Sequence, residues 1–290
     1  TSGWTEQAFY DRFGAIREKF PQHTFTYIQS MKGSQYPDLI SAGQQIDIIW
    51  ESVANFRTGP IEYKSAFDMT DLIKKHNIDV SRLNTAMVER MRVMSNGGLY
   101  ALPVLNNTLS LYYNKDLFDK FGVPYPKDGM TWDELVELSH RVTRVDSGKQ
   151  YVGLGVSPAH ILRLNPFSLP FVDPKTEKAT INDNGWKLIF EYGFIKPAET
   201  SGYRDKIRAL GNKLPAANNF IKEKDLAMYF ALSNIFSNND TGNELAAMNW
   251  DMAAVPMFKE KPGVGAQLYP VYFSVTSLSK NKDAAMEVIK

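Results

Sequence analysis

Residues 98–135 read GLYALPVLNNTLSLYYNKDLFDKFGVPYPKDGMTWDEL, and the punctuation of this stretch decides the fold. Leu99 to Leu105 and Leu109 to Tyr113 are apolar runs of strand length, separated by the polar break Asn106-Asn107-Thr108. Asp116 to Phe121 suits a short helix, and Gly122 to Met130 is a Pro and Gly loop. Thr131 then opens a helix through a capping box with Glu134, which places Leu135, Leu138 and Val142 on its inner face. Strands and helices that follow one another through short connections predict an α/β chain.

The same grammar runs outward in both directions. Upstream, Thr5 caps a helix carrying Phe9, Phe13, Ile16 and Phe20 at helical spacing, which Pro21 closes. His23 to Ile28 alternates as a strand does, a helix opens at Pro37 and ends at Gly43, and Ile46 to Trp50 is a compact apolar strand. Asp68 to Lys75 and Leu83 to Met94 read as helices, the second with Leu83, Met87, Met91 and Met94 along one core-facing stripe. Asn96-Gly97-Gly98 is the turn into the opening stretch. Downstream, Val152 to Val156 and Trp250 to Pro256 read as strands and Trp186 to Tyr192 as a helix. Lys222 to Phe230 is either a helix or a strand, and a last helix starts at Asp283.

At 290 residues the chain has room for two domains, each with its own core. Lys and Arg number 33 against 32 Asp and Glu, a balance that offers no footprint for nucleic acid and no polybasic membrane signal. The absence of cysteine removes disulfides, thiolate zinc sites and thiol catalysis together. No metal and no cofactor are expected. Charge or proline interrupts every apolar run before it reaches the ~18 residues of a membrane span. Thr1 to Trp4 lacks the pattern of a signal peptide and reads as a mature or trimmed start, so any signal peptide or lipid-bearing cysteine is expected outside this sequence.

Several of these segments, in this order, resemble the family 1 extracellular solute-binding proteins of bacterial ABC importers, the maltose-binding-protein-like group. The segments are Gly98 to Pro103, Leu111 to Phe118, Phe121 to Pro124 and Thr131 to Leu135. Further matches are Ser41-Ala-Gly43 and Asp47-Ile-Ile49 before them. Asp225 to Met228, Val255-Pro256 and Ser279 to Ala285 follow. The resemblance implies a type II periplasmic-binding-protein fold of two lobes, each a mainly parallel sheet flanked by helices. Lobe one would be 1–107 plus 259–290 and lobe two 108–258, with the C-terminal helices of a full-length member beyond Lys290. It further implies a small-molecule solute, a carbohydrate in this reading, gripped by hinge closure in a cleft and delivered to a membrane permease. The location would be extracytoplasmic, either on the cell surface as a lipoprotein or in the periplasm, and the working form a monomer.

Residues just beyond strand ends are the first candidates for ligand contact in such sheets. Trp50 offers a flat apolar face to a sugar ring, Glu51 accepts from hydroxyls, and Ser52 follows; alternatively Trp50 is core and Glu51 a loop acid. Asn106 and Asn107 donate and accept as a polyol does, or form an Asn-rich turn. Ser233 and Asn234 stand where sugar-binding relatives place a stacking tryptophan, which this chain lacks. Tyr269 and Tyr272 either face the cleft or are half-buried strand aromatics, and His160 follows the Val156 strand. Trp132, Trp186 and Trp250 sit among aliphatic residues and read as core.

Two rivals stay open at this level. One is a carbohydrate-active enzyme, for example a glycoside hydrolase, in which Asp47 and Glu51 form the carboxylate pair. The other keeps the fold and binds a non-sugar polar solute. No Walker loop, nucleophile elbow, His-Glu-x-x-His or dinucleotide fingerprint is present, and no catalysis is expected.

Overall fold

The computed structural model describes residues 4–235 and 239–290. The chain divides into two compact units, residues 1–107 with 268–290 and residues 108–267. The first crossing thus lies between Asn107 and Thr108, and the return falls after 267 rather than after 258. Among the described residues eight strands are formed: β1 (Ile48–Ser52), β2 (Leu102–Asn107), β3 (Leu109–Asn114), β4 (Arg144–Asp146), β5 (Lys149–Val156), β6 (Leu226–Leu232), β7 (Trp250–Ala253) and β8 (Tyr269–Val275).

Unit 1 holds a sheet of order β1-β8-β2, with both pairs antiparallel. The middle strand therefore comes from the far end of the sequence. Register shifts between Pro103 and Leu105, where a residue without an N–H interrupts the ladder. Around the sheet, Ile49, Phe56, Met69, Met91, Ala101, Tyr272 and Val275 are sealed from solvent, each large side chain contributing about 1.5–3 kcal/mol by burial. The methionine stripe behaves as expected, with Met87 and Met91 buried on the helix Thr85–Met94. Leu83 lies outside that helix because Asn84 caps it, accepting from the Met87 N–H.

Two local expectations fail in unit 1. The first helix does not run unbroken to Phe20 but splits into Glu6–Phe13 and Ala15–Lys19 around Gly14. Glycine there lets the helix depart from its axis, because a Cβ would meet the Tyr10 carbonyl at 2.5 Å. His23 to Ile28, whose alternation predicts a strand, forms no named strand.

Unit 2 holds the sheet β4-β5-β6-β3-β7, in which only β5 and β6 run parallel. Both units are α/β, but the sheet of unit 1 is antiparallel and that of unit 2 mixed, rather than mainly parallel. The expected predominance of parallel pairs overlooked β3 and β8, each of which lies antiparallel to two neighbours. The capping box of Thr131 and Glu134 is formed, and Leu135, Leu138 and Val142 of the helix Trp132–Val142 are buried. The ambiguous stretch near Lys222 resolves into the helix Ala217–Ile221 followed by β6, all of whose residues are buried. Tyr112, Val152, Phe220 and Leu226 form the centre of this core. At its margin Lys206 and Asp225 pair at 2.5 Å, and Asn219 donates to the other carboxylate oxygen.

Candidate binding site

At the end of β1 the chain turns directly into the helix Val53–Phe56, and this junction gathers the polar groups of unit 1. Glu51 is only 8% exposed. One of its oxygens, Oε1, accepts from the Ser52 N–H at 2.9 Å and from the Asn55 amide at 3.1 Å. Burial lifts the Glu51 carboxyl above the usual carboxylate range, and the bonds from Ser52 and Asn55 oppose that rise. A buried acid held at a strand end by such donors is a candidate to receive a further donor from a ligand.

Beside it, Ser52 and Asn106 are half-buried. The Tyr269 hydroxyl lies 3.2 Å from Ser52 Oγ, and the Tyr269 N–H donates to Asn106 Oδ1 at 2.9 Å. These bonds hold the ends of β1, β2 and β8 in register. The structure thus brings Glu51, Ser52, Asn106 and Tyr269 to one end of one sheet. Asn107, adjacent to them, is buried.

Trp50 and Tyr272 do not belong to that group. Trp50 is 3% exposed, packed edge-on against Trp4, Phe9 and Phe13, so its ring faces are not offered to a ligand. Alternation explains this: Trp50 and Ile48 share the face of β1 that the first helices cover. Tyr272 is sealed on the opposite face, its hydroxyl donating to the Met87 carbonyl at 3.0 Å, and burial pushes that phenol well up. The pairing of Asp47 with Glu51 also dissolves, since Asp47 accepts from Gln45 and Ser279 while Glu51 has its own partners.

In unit 2, His160 follows β5 on the short helix Pro158–Arg163. Its Nδ1 lies 2.7 Å from the hydroxyl of Ser157, which caps that helix. Burial, then the charge of Arg163, lowers the imidazole pKa and so favours the neutral ring. Ser233 is committed to the backbone: its hydroxyl accepts from the Thr108 N–H and its own N–H donates to the Thr108 carbonyl. Asn234 is half-buried in the turn after β6. Sequence reasoning missed Asn55 and Ser157. Both were detectable by spacing, since Asn55 stands four residues after Glu51 across a helix start and Ser157 precedes a proline at a helix start.

The polar cluster at a strand end of an α/β sheet is matched by kinship. The bacterial extracellular solute-binding protein family aligns with residues 2–290. The chain belongs to this family. Among curated proteins, a Brucella abortus protein described as a binding protein is 25% identical over 210 residues, 67% of this chain. The match takes in 46% of that protein, so the solute-binding chain spans about half the length of the curated relatives it matches. Among solved structures, a sugar transporter from Rhizobium etli in an open conformation superposes with a TM-score of 0.71 at 21% identity, covering 100% of this chain and 74% of that one. An ABC substrate-binding protein of Listeria monocytogenes in complex with cycloalternan gives a TM-score of 0.74 at 18% identity, with 99% and 72% covered. These likenesses establish the fold of the solute-binding chain. Among the described residues no helix is long and apolar enough to cross a membrane, and no cluster of His, Asp and Glu is arranged to hold a metal.

Proposed function

We propose that this solute-binding protein is the capture component of an ABC importer, that its solute is a sugar or short oligosaccharide, and that it catalyses nothing. Glu51 carries the reading. A buried carboxylate at the end of β1, oriented by the Ser52 N–H and the Asn55 amide, is a charge-assisted acceptor, the strongest kind of partner for a hydroxyl. Ser52, Asn106 and Tyr269 add groups that both donate and accept, as every sugar hydroxyl does. In unit 2 the candidates are His160 and Asn234, while Ser233 orders the backbone. The partner is a membrane permease, the location extracytoplasmic and the working form a monomer.

Titration calorimetry against a panel of monosaccharides and oligosaccharides tests this reading. Saturable binding of at least one sugar is expected, weakened about tenfold or more by Glu51→Gln, since a hydrogen bond to a charged group contributes about 1.5–3 kcal/mol. Failure of every sugar in the panel to bind, or equal affinity in wild type and Glu51→Gln, would reject it.

A further inference from the structure

One edge of the sheet in unit 2 is the hairpin of β4 and β5, closed by Ser147 and Gly148, both at positive φ. Two rings lie against it. Phe121, half-buried at the end of the helix Lys115–Phe121, meets buried Tyr151 of β5 edge-on at 5.2 Å. Three cations lean on this pair. The Arg144 guanidinium stands 4.8 Å from the centre of the Phe121 ring, and the Lys120 and Lys149 ammonium groups stand 4.6 and 5.6 Å from that of Tyr151. Lys120 also donates to the Tyr151 hydroxyl at 3.2 Å, Lys149 to the Glu223 carbonyl at 2.6 Å, and Arg144 to the Arg141 carbonyl.

Rings and carbonyls that hold the long stems fix each positive charge at a set point on the surface. The Lys149 bond also brings the exposed Lys224 close, one residue beyond Glu223. Two carboxylates stand among these cations: Asp146, paired with Lys120 at 2.6 Å, and the exposed Glu223. The hairpin edge is therefore cationic in a chain whose formal net charge is only +1. Val145, between Arg144 and Asp146, is 64% exposed. It pairs with Gln150, and strand alternation sets its side chain on the face of β4 opposite to Arg144 and Asp146. The edge thus carries fixed cations along one face and a bare aliphatic side chain along the other.

We propose that this edge of unit 2 docks on the headgroup region of an anionic lipid bilayer, with Lys120, Arg144, Lys149 and Lys224 over the phosphates and Val145 entering the interface. Charge complementarity carries the choice of partner, because basic side chains beside an exposed apolar one are the composition that holds a protein on such a surface. A small anion would engage the cations on one face and leave Val145 in water. A broad surface that meets the strand edge-on reaches both faces at once. Each cation contributes about a fivefold gain in partitioning, so four of them give reversible docking rather than permanent anchorage. The attraction acts within the ~8 Å screening length of physiological salt. This inference goes beyond solute capture and does not depend on it.

The intact 290-residue protein is sedimented with vesicles of equal parts phosphatidylglycerol and phosphatidylcholine, and with vesicles of phosphatidylcholine alone. Binding to the anionic vesicles is expected, at least tenfold weaker on the neutral ones and weakened as much by raising the salt to about 1 M, where screening shortens to ~3 Å. The double variant Arg144→Gln with Lys149→Gln should lose about tenfold or more in partitioning. Because the chain has no cysteine, Val145→Cys carries a single environment-sensitive fluorophore. Its emission should shift to the blue on anionic vesicles, whereas the same label at Val93→Cys, on a residue 78% exposed in unit 1, should not shift. If the double variant fails to melt cooperatively, the two labels decide. Equal binding to both vesicles, an unshifted label at 145, equal shifts at 145 and 93, or tighter binding to a soluble hexaglutamate peptide than to the anionic vesicles would overturn the inference. Sugar titrations of the double variant are expected to match wild type, so docking and solute capture succeed or fail separately.

Discussion

Glu51, on which the proposed solute binding rests, would couple stability to recognition. Its pKa is raised in the folded protein by burial, so the native state holds this proton more tightly than the unfolded chain does. The sign follows directly. Stability is greatest below the unfolded value of about 4.5 and declines as pH climbs through the raised folded value, because folding then keeps an uncompensated charge out of water. Ligand capture runs the other way, since the ionised carboxylate is the better acceptor. Solute affinity of the wild type is therefore expected to strengthen as pH rises from about 4.5 through the folded pKa, while thermal stability falls across the same window. Glu51→Gln should flatten both trends, and calorimetry with thermal melts at half-unit pH intervals would decide; a wild-type affinity independent of pH would refute the role. At this scale the site was partly legible. Glu51, Ser52, Asn106 and Tyr269 could be picked out as polar groups at strand ends, and the structure collects them. Trp50 and Tyr272 could not be placed, because residue type says what a side chain can do, whereas the parity of its position along a strand says which face it reaches, and parity depends on knowing where pairing begins.

At the scale of elements, the contact of β5 with the helix Trp132–Val142 rests on Gly153. Its N–H donates to Thr143 Oγ1 at 2.9 Å, and a Cβ at this position would overlap the backbone of Ser139. Backbone cannot swing aside as a side chain can, so Gly153→Ala must push the helix off the sheet. The expected loss is about 3 kcal/mol, the upper part of the overpacking range, measured by chemical denaturation. A variant within about 0.5 kcal/mol of wild type would show that the helix is less firmly seated than this geometry implies. The helix itself was plain in the sequence, because its start is written locally in Thr131 and Glu134. Signals that depend on distant partners were not legible. The alternation of His23 to Ile28 was read as a strand, but alternation cannot reveal whether a segment finds ladder partners, and none of the named strands includes it. The run Lys222 to Phe230 was ambiguous because an apolar stretch buried on both faces loses the period that separates helix from strand. Antiparallel pairing was missed for a related reason: strand direction is a property of topology, and β8 reaches its neighbours from more than 150 residues away.

At the scale of the molecule, the two units differ in how they draw on the chain. Unit 2 is one continuous stretch, 108–267, which contributes every strand of its own five-stranded sheet and both partners of the buried Lys206–Asp225 pair. Unit 1 is discontinuous. Its sheet has β8 at the centre, and β1 and β2 pair with β8 rather than with each other. Removing residues 268–290 would therefore unpair every strand of unit 1 at once, strip Trp50 of its packing against Val271 and Phe273, and delete the Tyr272 bond to Met87. It would also leave Lys75 and His76 without Asp283, though exposed pairs of that kind add little. Two fragments should then behave unequally. Residues 108–267 produced alone are expected to unfold in one cooperative thermal transition with slow amide exchange in β3, β5 and β6, because nothing in their ladders is missing. Residues 1–107 alone are expected to show no cooperative melt, and to regain one when a peptide spanning 268–290 is supplied, since the central strand is then restored. Circular dichroism and hydrogen exchange on both fragments would settle this. A cooperative fold for 1–107 without the peptide would mean that β1 and β2 can pair directly, and the architecture of unit 1 would have to be redrawn.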